Sequence, residues 1–238
     1  MYAKIIDNKT IHIFDKSQFD IFAIRNCGQI FRDPPCEIID EHDFIVIKST
    51  GARDSAWLWN YFDLETDYNE IKRDLAQFEA LREPMELGGG IRILRQPFIE
   101  CVISFIISAN NNIKRFTKII EQIDFDNLQK YSEDDFKKMG CGYRSGYLVK
   151  SVKMLYALDA SQLAQLDNIV LRRELMKLAG VGPKVADCIM LFAFHRLDVV
   201  PVDVHIGRVV NYMPSHKYAG VAQQYVFYYV QHLKKNLP

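Results

Sequence analysis

Two hydrophobic patterns divide the chain. Near the N-terminus, apolar and polar residues alternate over residues 10–14, and a β-branched run occupies residues 43–48. Both patterns are typical of strands. Elsewhere in the chain, apolar positions recur at helical spacing. One of these helical stretches lies in the N-terminal part, and the others follow it. This spacing predicts helices over residues 68–81, 97–108, 114–123, 145–158, 171–178, 184–194, 205–212 and 220–234.

The change of pattern predicts two domains in an α+β fold. Pro84 and the glycines at 88–90 interrupt the pattern between them. We therefore expect an antiparallel sheet domain over residues 1–88 and an all-helical domain over residues 89–238. A chain of 238 residues is long enough for both cores.

Composition narrows the class of protein. With 49% hydrophobic and 25% charged residues, the chain has the profile of a globular protein. It shows neither a secretory leader nor an apolar run of membrane length. Its five cysteines have no CxxC or zinc-site spacing. These features predict a reduced, intracellular protein with no membrane span, structural metal or cofactor.

The net charge of zero disfavours a nucleic-acid partner, but its distribution reverses that inference. Residues 1–88 hold 10 Lys and Arg against 17 Asp and Glu, whereas residues 89–238 hold 20 against 13. The predicted helical domain therefore has a net charge of +7, the sign that DNA requires. Chance clustering of solvated charge is the alternative.

The strongest local motif is a glycine turn that opens onto a helix. Gly180 and Gly182 allow a tight turn, and Pro183 suits a first helical position. Amides at such a helix start can bind an anion. The Walker and dinucleotide glycine patterns are both absent from the sequence. A simple corner between two helices is the alternative interpretation.

Two charged residues give this motif candidate chemistry. Lys184 lies in the first helical turn, where the helix dipole disfavours a cation, and it precedes an apolar helix. Desolvation there favours the neutral amine that covalent catalysis needs; a surface lysine is the alternative. Asp203 follows nineteen residues later. It can cap a helix, face a developing positive charge, or do both.

With these residues in place, a family resemblance is visible. The segments LAGVGPKVADC (178–188) and VPVDVH (200–205) resemble the helix-hairpin-helix signature of the 8-oxoguanine DNA glycosylase/AP lyase family. Four more segments resemble, in order, its pocket loop, its first long helix, its wedge loop and its last helix: CGQIFR (27–32), GIRILRQPFIECVISFIISANNNI (90–113), GCGYRSGY (140–147) and AQQYVF (222–227). The chain departs from the family at Asp33, where relatives usually carry tryptophan, in its short sheet domain and in the short connection at 124–133.

The resemblance implies an antiparallel sheet domain, a two-lobed helical domain and a set of site residues. Lys184 and Asp203 are the implied catalytic pair. Gly28, Phe31, Cys188, Gln223 and Phe227 are the implied base-binding residues. Asn110, Arg115, Tyr143, Arg144, Gly180, Gly182 and His205 are the implied DNA-binding residues. Phe31, Cys188 and Phe227 can also be read as core residues, and His205 as a helix-start residue.

The implied activity is excision of 8-oxoguanine opposite cytosine from double-stranded DNA, followed by strand nicking. The implied protein is a monomer without a cofactor. It would act at DNA, in the nucleus of a eukaryote or the nucleoid of a bacterium, and the pair Arg115 and Arg144 favours the eukaryotic type. Two alternatives remain: a glycosylase for another oxidised or alkylated base, and a non-catalytic helix-hairpin-helix DNA-binding module.

Overall fold

The computed structural model describes residues 2–202 and 216–236. The chain forms two compact units. Unit 1 comprises Met1–Arg95 and Val204–Pro238, and unit 2 comprises Gln96–Asp203. Within the described residues, no helix has both the length and the apolar character needed to cross a membrane. The domain boundary between residues 88 and 89 stays a prediction.

Unit 1 contains a four-stranded antiparallel sheet in the order β1-β2-β4-β3. Its strands are β1 (Ala3–Ile5), β2 (Thr10–Ile13), β3 (Cys36–Asp40) and β4 (Ile45–Ser49). Ile11 pairs with Ile47 and Ile13 with Ile45, and all four side chains are buried on one face. The alternating pattern thus predicted β2 correctly, and the β-branched run predicted β4. These patterns missed β1, which has three residues, and β3, which is largely exposed.

The described residues of unit 1 also form five α-helices: α1 (Ile21–Asn26), α2 (Ser55–Tyr61), α3 (Tyr68–Leu75), α4 (Arg82–Gly88) and α12 (Ala219–Asn236). Asp20, Asp54 and Asp67 cap the first three by accepting hydrogen bonds from first-turn amides. The single helix predicted over residues 68–81 is wrong at its end, because α3 stops at Leu75. Pro84 does not break α4, because first-turn amides need no intrahelical partner. The long helix α12 packs against α4.

A fully buried arginine holds the loops of unit 1 together. Arg92 donates from Nε to the carbonyl of Phe62 (3.0 Å), from Nη1 to that of Gln18 (3.1 Å) and from Nη2 to that of Thr66 (2.6 Å). Its guanidinium lies 4.2 Å from the ring centroid of Tyr68. The charge is therefore satisfied by backbone oxygens and aromatic faces.

The described part of unit 2 contains helices joined by turns and loops, and no strand. Its α-helices are α5 (Phe98–Ser108), α6 (Ile113–Ile120), α7 (Glu133–Lys138), α8 (Arg144–Leu155), α9 (Ala160–Ala164), α10 (Asn168–Leu175) and α11 (Pro183–Phe192). The central helix α5 is buried from residue 101 to residue 107 and packs against α6, α8 and α11. The predicted helices of this region are confirmed to within about three residues, whereas the short α7 and α9 were missed. The predicted helix 205–212 lies outside the described residues. The α+β fold class is confirmed.

Candidate DNA-binding and catalytic residues

The glycine turn predicted before α11 is present in unit 2. Gly180 has a φ of +85°, and a Cβ atom there would lie 3.2 Å from side-chain atoms of Ile106 and Tyr147. A larger residue would therefore strain the backbone and press on its neighbours. Gly182 is the N-cap of α11, and the space beside its Cα is open. Pro183 follows as the first helical residue, as predicted.

Lys184 lies beside an aromatic wall. Its side chain is half-buried, and Nζ is 5.5 Å from the ring centroid of Phe105 on α5. The Phe105 ring stacks on that of Phe192, with centroids 5.5 Å apart and an angle of 7°. Within the described part of the chain, no carboxylate lies within ion-pair distance of Lys184. Sequence reasoning missed Phe105, which is one apolar residue in an apolar helix.

Asp203 and His205 lie outside the described residues. Their roles stay predictions. Cys188 is described; it lies one turn after Lys184 on α11 and is 2% exposed. Burial, with the nearby Cys188 thiol as a second cause, raises the pKa of Cys101.

Four of the predicted base-binding residues lie in two segments of unit 1, Gly28 and Phe31 in one and Gln223 and Phe227 in the other. Gly28 has a φ of +79°, and a Cβ atom there would lie 2.9 Å from the ring of Phe227 on α12. Phe227 is half-buried. Gln223 precedes it by one turn and is 4% exposed, and its Oε1 accepts from Gln224 Nε2 at 2.6 Å. The structure thus brings Gly28 and Phe227 into contact and places Gln223 near them on the helix. Phe31 is half-buried.

The loop that carries Gly28 is anchored by the next residue. Gln29 is fully buried, donates from Nε2 to the carbonyl of Arg92 (2.8 Å), and accepts from the amide of Leu94 (2.9 Å). Its Nε2 also lies 3.0 Å from the Cys27 thiol, whose pKa burial raises to about 12. Gln29 therefore ties the loop that carries Gly28 to the backbone of Arg92 and Leu94. Its position beside the pocket motif was the signal that could have identified it.

The predicted wedge residues lie together in unit 2. The Tyr143 side chain is 65% exposed and follows Gly142, which has a φ of +59°. Arg144 is buried, and its guanidinium lies 4.4 Å from the Tyr143 ring centroid. It donates to the carbonyls of Ala109 (3.1 Å from Nε) and Asn110 (2.8 Å from Nη2). Asn110 itself is exposed and left-handed, with a φ of +49°. Arg144 therefore joins the α5–α6 turn to the wedge.

Arg115 approaches the same region from α6. Its Nη2 donates to the carbonyl of Gly140 at 2.9 Å, and the side chain is otherwise exposed. Burial raises the pKa of Cys141 to about 11, and the positive charges of Arg144 and Arg115 oppose that rise. Both guanidinium groups are therefore near one thiol. Cys141 was not identified from the sequence.

The charge asymmetry expected from the sequence does not survive the grouping of the folded chain. Unit 1 holds 16 Lys and Arg against 17 Asp and Glu, and unit 2 holds 14 against 13. The reason is that residues 204–238 add four cations and no anion to unit 1. A nucleic-acid partner would therefore have to bind to local groups of cations. Among the described residues, no cluster of three or more His, Cys, Asp or Glu side chains could hold a metal ion.

A small antiparallel sheet, helices packed around the buried α5 and a glycine turn leading to a lysine-bearing helix are features of the helix-hairpin-helix DNA glycosylase class. A family profile described as the 8-oxoguanine DNA glycosylase N-terminal domain matches residues 37–102. A Clostridium acetobutylicum 8-oxoguanine glycosylase/lyase, solved in its apo form, has 30% identity and a TM-score of 0.83, over 96% of this chain and 100% of that one. The chain belongs to the 8-oxoguanine DNA glycosylase family.

Two further relatives add detail. The C. acetobutylicum enzyme in complex with double-stranded DNA containing cytosine opposite 8-oxoguanine has 28% identity and a TM-score of 0.86, over 98% of this chain and all of that one. The Arabidopsis thaliana N-glycosylase/DNA lyase OGG1 is 35% identical over 150 residues, which are 52% of this chain and 41% of that protein. The chain spans 41–61% of the length of three curated relatives that it matches.

Proposed function

We propose that this protein is a bifunctional DNA glycosylase/AP lyase that excises 8-oxoguanine opposite cytosine and then nicks the strand. The observation that carries the proposal is the position of Lys184. Its amine stands one residue beyond a glycine turn and a helix start that suit a DNA phosphate, and it rests on the ring of Phe105 rather than on a described carboxylate.

Lys184 is the proposed nucleophile. The target nucleotide would first leave the stack. The lone pair of the neutral Nζ then forms a bond to the anomeric carbon while the glycosidic bond breaks. The base leaves with the electron pair of the glycosidic bond and takes up a proton. Nζ then loses a proton, the sugar ring opens between C1′ and O4′, and O4′ takes up a proton, which gives a Schiff base. Removal of a proton from C2′ expels the 3′ phosphate and nicks the strand.

Asp203 is proposed to stabilise the positive charge that develops on the sugar. Its sequence position after the short run 199–202, and the family resemblance, support this role. Removing one preorganised charge typically slows a reaction by about 10²–10³-fold. Asp203→Asn should therefore slow base excision by at least ~10²-fold. Near-normal turnover would reduce Asp203 to a helix cap.

The proposed base pocket uses Gly28, Phe31, Cys188, Gln223 and Phe227. Gly28 would accept, at its carbonyl, the N7–H that 8-oxoguanine has and guanine lacks. Its contact with Phe227 and the anchoring of its loop by Gln29 support this role. An unpaired polar group in a buried site costs about 1–3 kcal/mol, enough for useful discrimination. Cys188 and Phe227 would sandwich the base, and Gln223 would bind its Watson–Crick edge.

The proposed DNA contacts lie around the wedge. Tyr143 would enter the duplex, and Asn110 would fill the gap left by the flipped base. Arg115 and Arg144 would donate to the cytosine acceptors O2 and N3. The turn at Gly180 and Gly182, with His205, would bind phosphates of the lesion strand. We propose that the protein acts at cellular DNA, in the nucleus if the host is a eukaryote.

Borohydride reduction tests this function. A duplex with 8-oxoguanine opposite cytosine should give a covalent adduct with the protein. Lys184→Gln should abolish both adduct and nicking but retain lesion binding. Lys177→Gln is the matched control, because Lys177 lies after α10 and pairs with Glu174. An undiminished adduct in Lys184→Gln would place the nucleophile elsewhere.

The same assay separates the alternative functions. The first alternative is tested with a panel of oxidised pyrimidines and alkylated purines. A glycosylase with another main substrate would form the adduct faster on one of those bases than on 8-oxoguanine. A non-catalytic DNA-binding module would bind every duplex and yield no adduct on any of them.

A further inference from the structure

A groove beside α6 lies outside the catalytic residues discussed so far. Its cavity measures about 390 Å³. Three cations line it, Lys114, Arg115 and Lys118, together with the side-chain amides of Asn112 and Gln122. We call these five residues the α6 groove. Its lining is cationic and neutral, with no acidic member.

The two lysines of the α6 groove lie in an unfavourable arrangement. Lys114 and Lys118 are four residues apart on one helix, a spacing that makes like charges repel. In the described part of the chain, neither has a carboxylate within ion-pair distance. Other lysines of unit 2 do: Lys137 Nζ lies 2.9 Å from Glu133. A bound anion would relieve the repulsion between Lys114 and Lys118.

The position of the groove indicates which anion. Arg115 lines it and also donates to the carbonyl of Gly140, three residues before Tyr143. The groove therefore adjoins the loop proposed to contact the strand opposite the lesion. Lysines four residues apart have Cβ atoms about 5–6 Å apart, and their long, flexible side chains can reach separate phosphates.

We infer that the α6 groove binds two neighbouring backbone phosphates of the strand opposite the lesion, through Lys114 and Lys118. The identity of that strand rests on the proposed function. The affinity of the groove for duplex DNA does not, because phosphate contacts are independent of sequence and lesion. The groove would hold the intact strand while Tyr143 separates the bases.

The salt dependence of binding tests the groove. Each phosphate contact contributes about 0.9 to the slope of log K against log salt. In a Lys184→Gln background, which prevents turnover, Lys114→Ala/Lys118→Ala should lower the magnitude of the slope by about 2 on duplex DNA. Duplex affinity should fall about tenfold or more at low salt, whereas binding of the single-stranded lesion oligonucleotide should not change. The control, Lys150→Ala/Lys153→Ala, removes two exposed lysines of α8 and should leave both affinities unchanged.

Neutral methylphosphonates identify the strand. Placed beside the cytosine opposite the lesion, they should weaken binding of the Lys184→Gln protein but not of the version that also lacks both lysines. Placed in the lesion strand, they should weaken both proteins equally. An unchanged salt slope for the double lysine variant, or equal effects from both strands, would overturn the inference.

Failure of the proposed function has a different signature. If the unmodified protein excises no 8-oxoguanine, that function fails. In that case, a smaller salt slope for the double lysine variant on an undamaged duplex would still support phosphate binding by the α6 groove. If excision is normal and the slope is unchanged by the two lysine substitutions, the groove is only a solvated surface.

Discussion

The two units each bury an arginine and use it differently. In unit 1, Arg92 is fully enclosed and donates to interior carbonyls such as those of Phe62 and Gln18. In unit 2, Arg144 is 7% exposed and donates to the carbonyl of Asn110, beside the exposed ring of Tyr143. Arg92 thus satisfies carbonyl groups in the protein interior, whereas Arg144 fixes the position of residues at the surface.

This difference predicts which property of the protein each arginine substitution should change. An interior guanidinium that satisfies several carbonyls contributes chiefly to stability, because its removal leaves those acceptors unpaired. A guanidinium at a surface loop fixes the shape that a ligand meets. Loss of the unit 1 arginine should therefore lower the stability of the protein more than loss of the unit 2 arginine. Loss of the unit 2 arginine should weaken DNA binding more.

Arg92→Met should have the largest effect on stability. Methionine replaces much of the volume but leaves several buried carbonyls without donors, at about 1–3 kcal/mol each. The free energy of unfolding should fall by at least about 3 kcal/mol in urea titrations. The control is Arg53→Met, since Arg53 is exposed and lies 5.0 Å from the ring centroid of Trp57. It should lose less than about 1 kcal/mol. A similar loss in both variants would refute the role of Arg92.

The Gly28→Ala variant tests whether unit 1 contributes to base excision as well as to the fold. The left-handed φ of +79° costs a non-glycine residue about 1–2 kcal/mol, and the new Cβ would lie 2.9 Å from the ring of Phe227. We expect excision of 8-oxoguanine to slow about tenfold or more, because one or two kcal/mol at the pocket is worth about that factor. Nicking of a preformed abasic site needs no base in the pocket and should not change. Equal slowing of both steps would place the defect outside the pocket.

The Arg115→Ala variant tests the role of the exposed arginine beside the wedge of unit 2. A good bidentate contact discriminates between bases by about 1–3 kcal/mol. The unmodified protein should therefore prefer 8-oxoguanine opposite cytosine over adenine by roughly ten- to hundredfold, and Arg115→Ala should abolish that preference without abolishing borohydride trapping. Lys118→Ala removes a charge from the same helix and should slow both substrates equally. Equal processing of the two duplexes by the unmodified protein would contradict the reading of Arg115 and Arg144.

The sequence alone was most informative where backbone geometry leaves little choice. The residues at 180–184 combine glycines, a first-turn proline and a lysine, and each restricts the conformation or the charge of one position. The structure reproduces this turn and the start of α11. The alternating run of β2 was predicted for a similar reason, since one face of this strand is buried, and the β-branched run predicted β4.

Long-range contacts could not be predicted in the same way. Phe105 lies under Lys184 because α5 packs against α11, and Arg92 closes loops that are distant in sequence. Neither contact leaves a periodic or compositional mark. The sequence likewise contains no sign that the cationic C-terminal end of the chain groups with the acidic N-terminal part in unit 1. Roles for the base-binding and DNA-binding residues stay predictions that the experiments above can test.

The smallest expected effect concerns the support, within unit 2, of the helix that carries Lys184. Asp187 on α11 accepts from Arg172 on α10 at 2.6 Å to Nε and 3.2 Å to Nη2. The Arg172 side chain is 41% exposed, so water weakens the pair, although its two-bond geometry is favourable. Asp187→Asn should therefore lower the free energy of unfolding by up to about 1 kcal/mol, and less at 1 M salt. A double-mutant cycle with Arg172→Met isolates the pair from other effects of each substitution. Borohydride trapping through Lys184 should keep its rate, because α11 is also held by its packing on α5. A tenfold slower trapping rate, with stability nearly unchanged, would instead show that this ion pair positions the lysine.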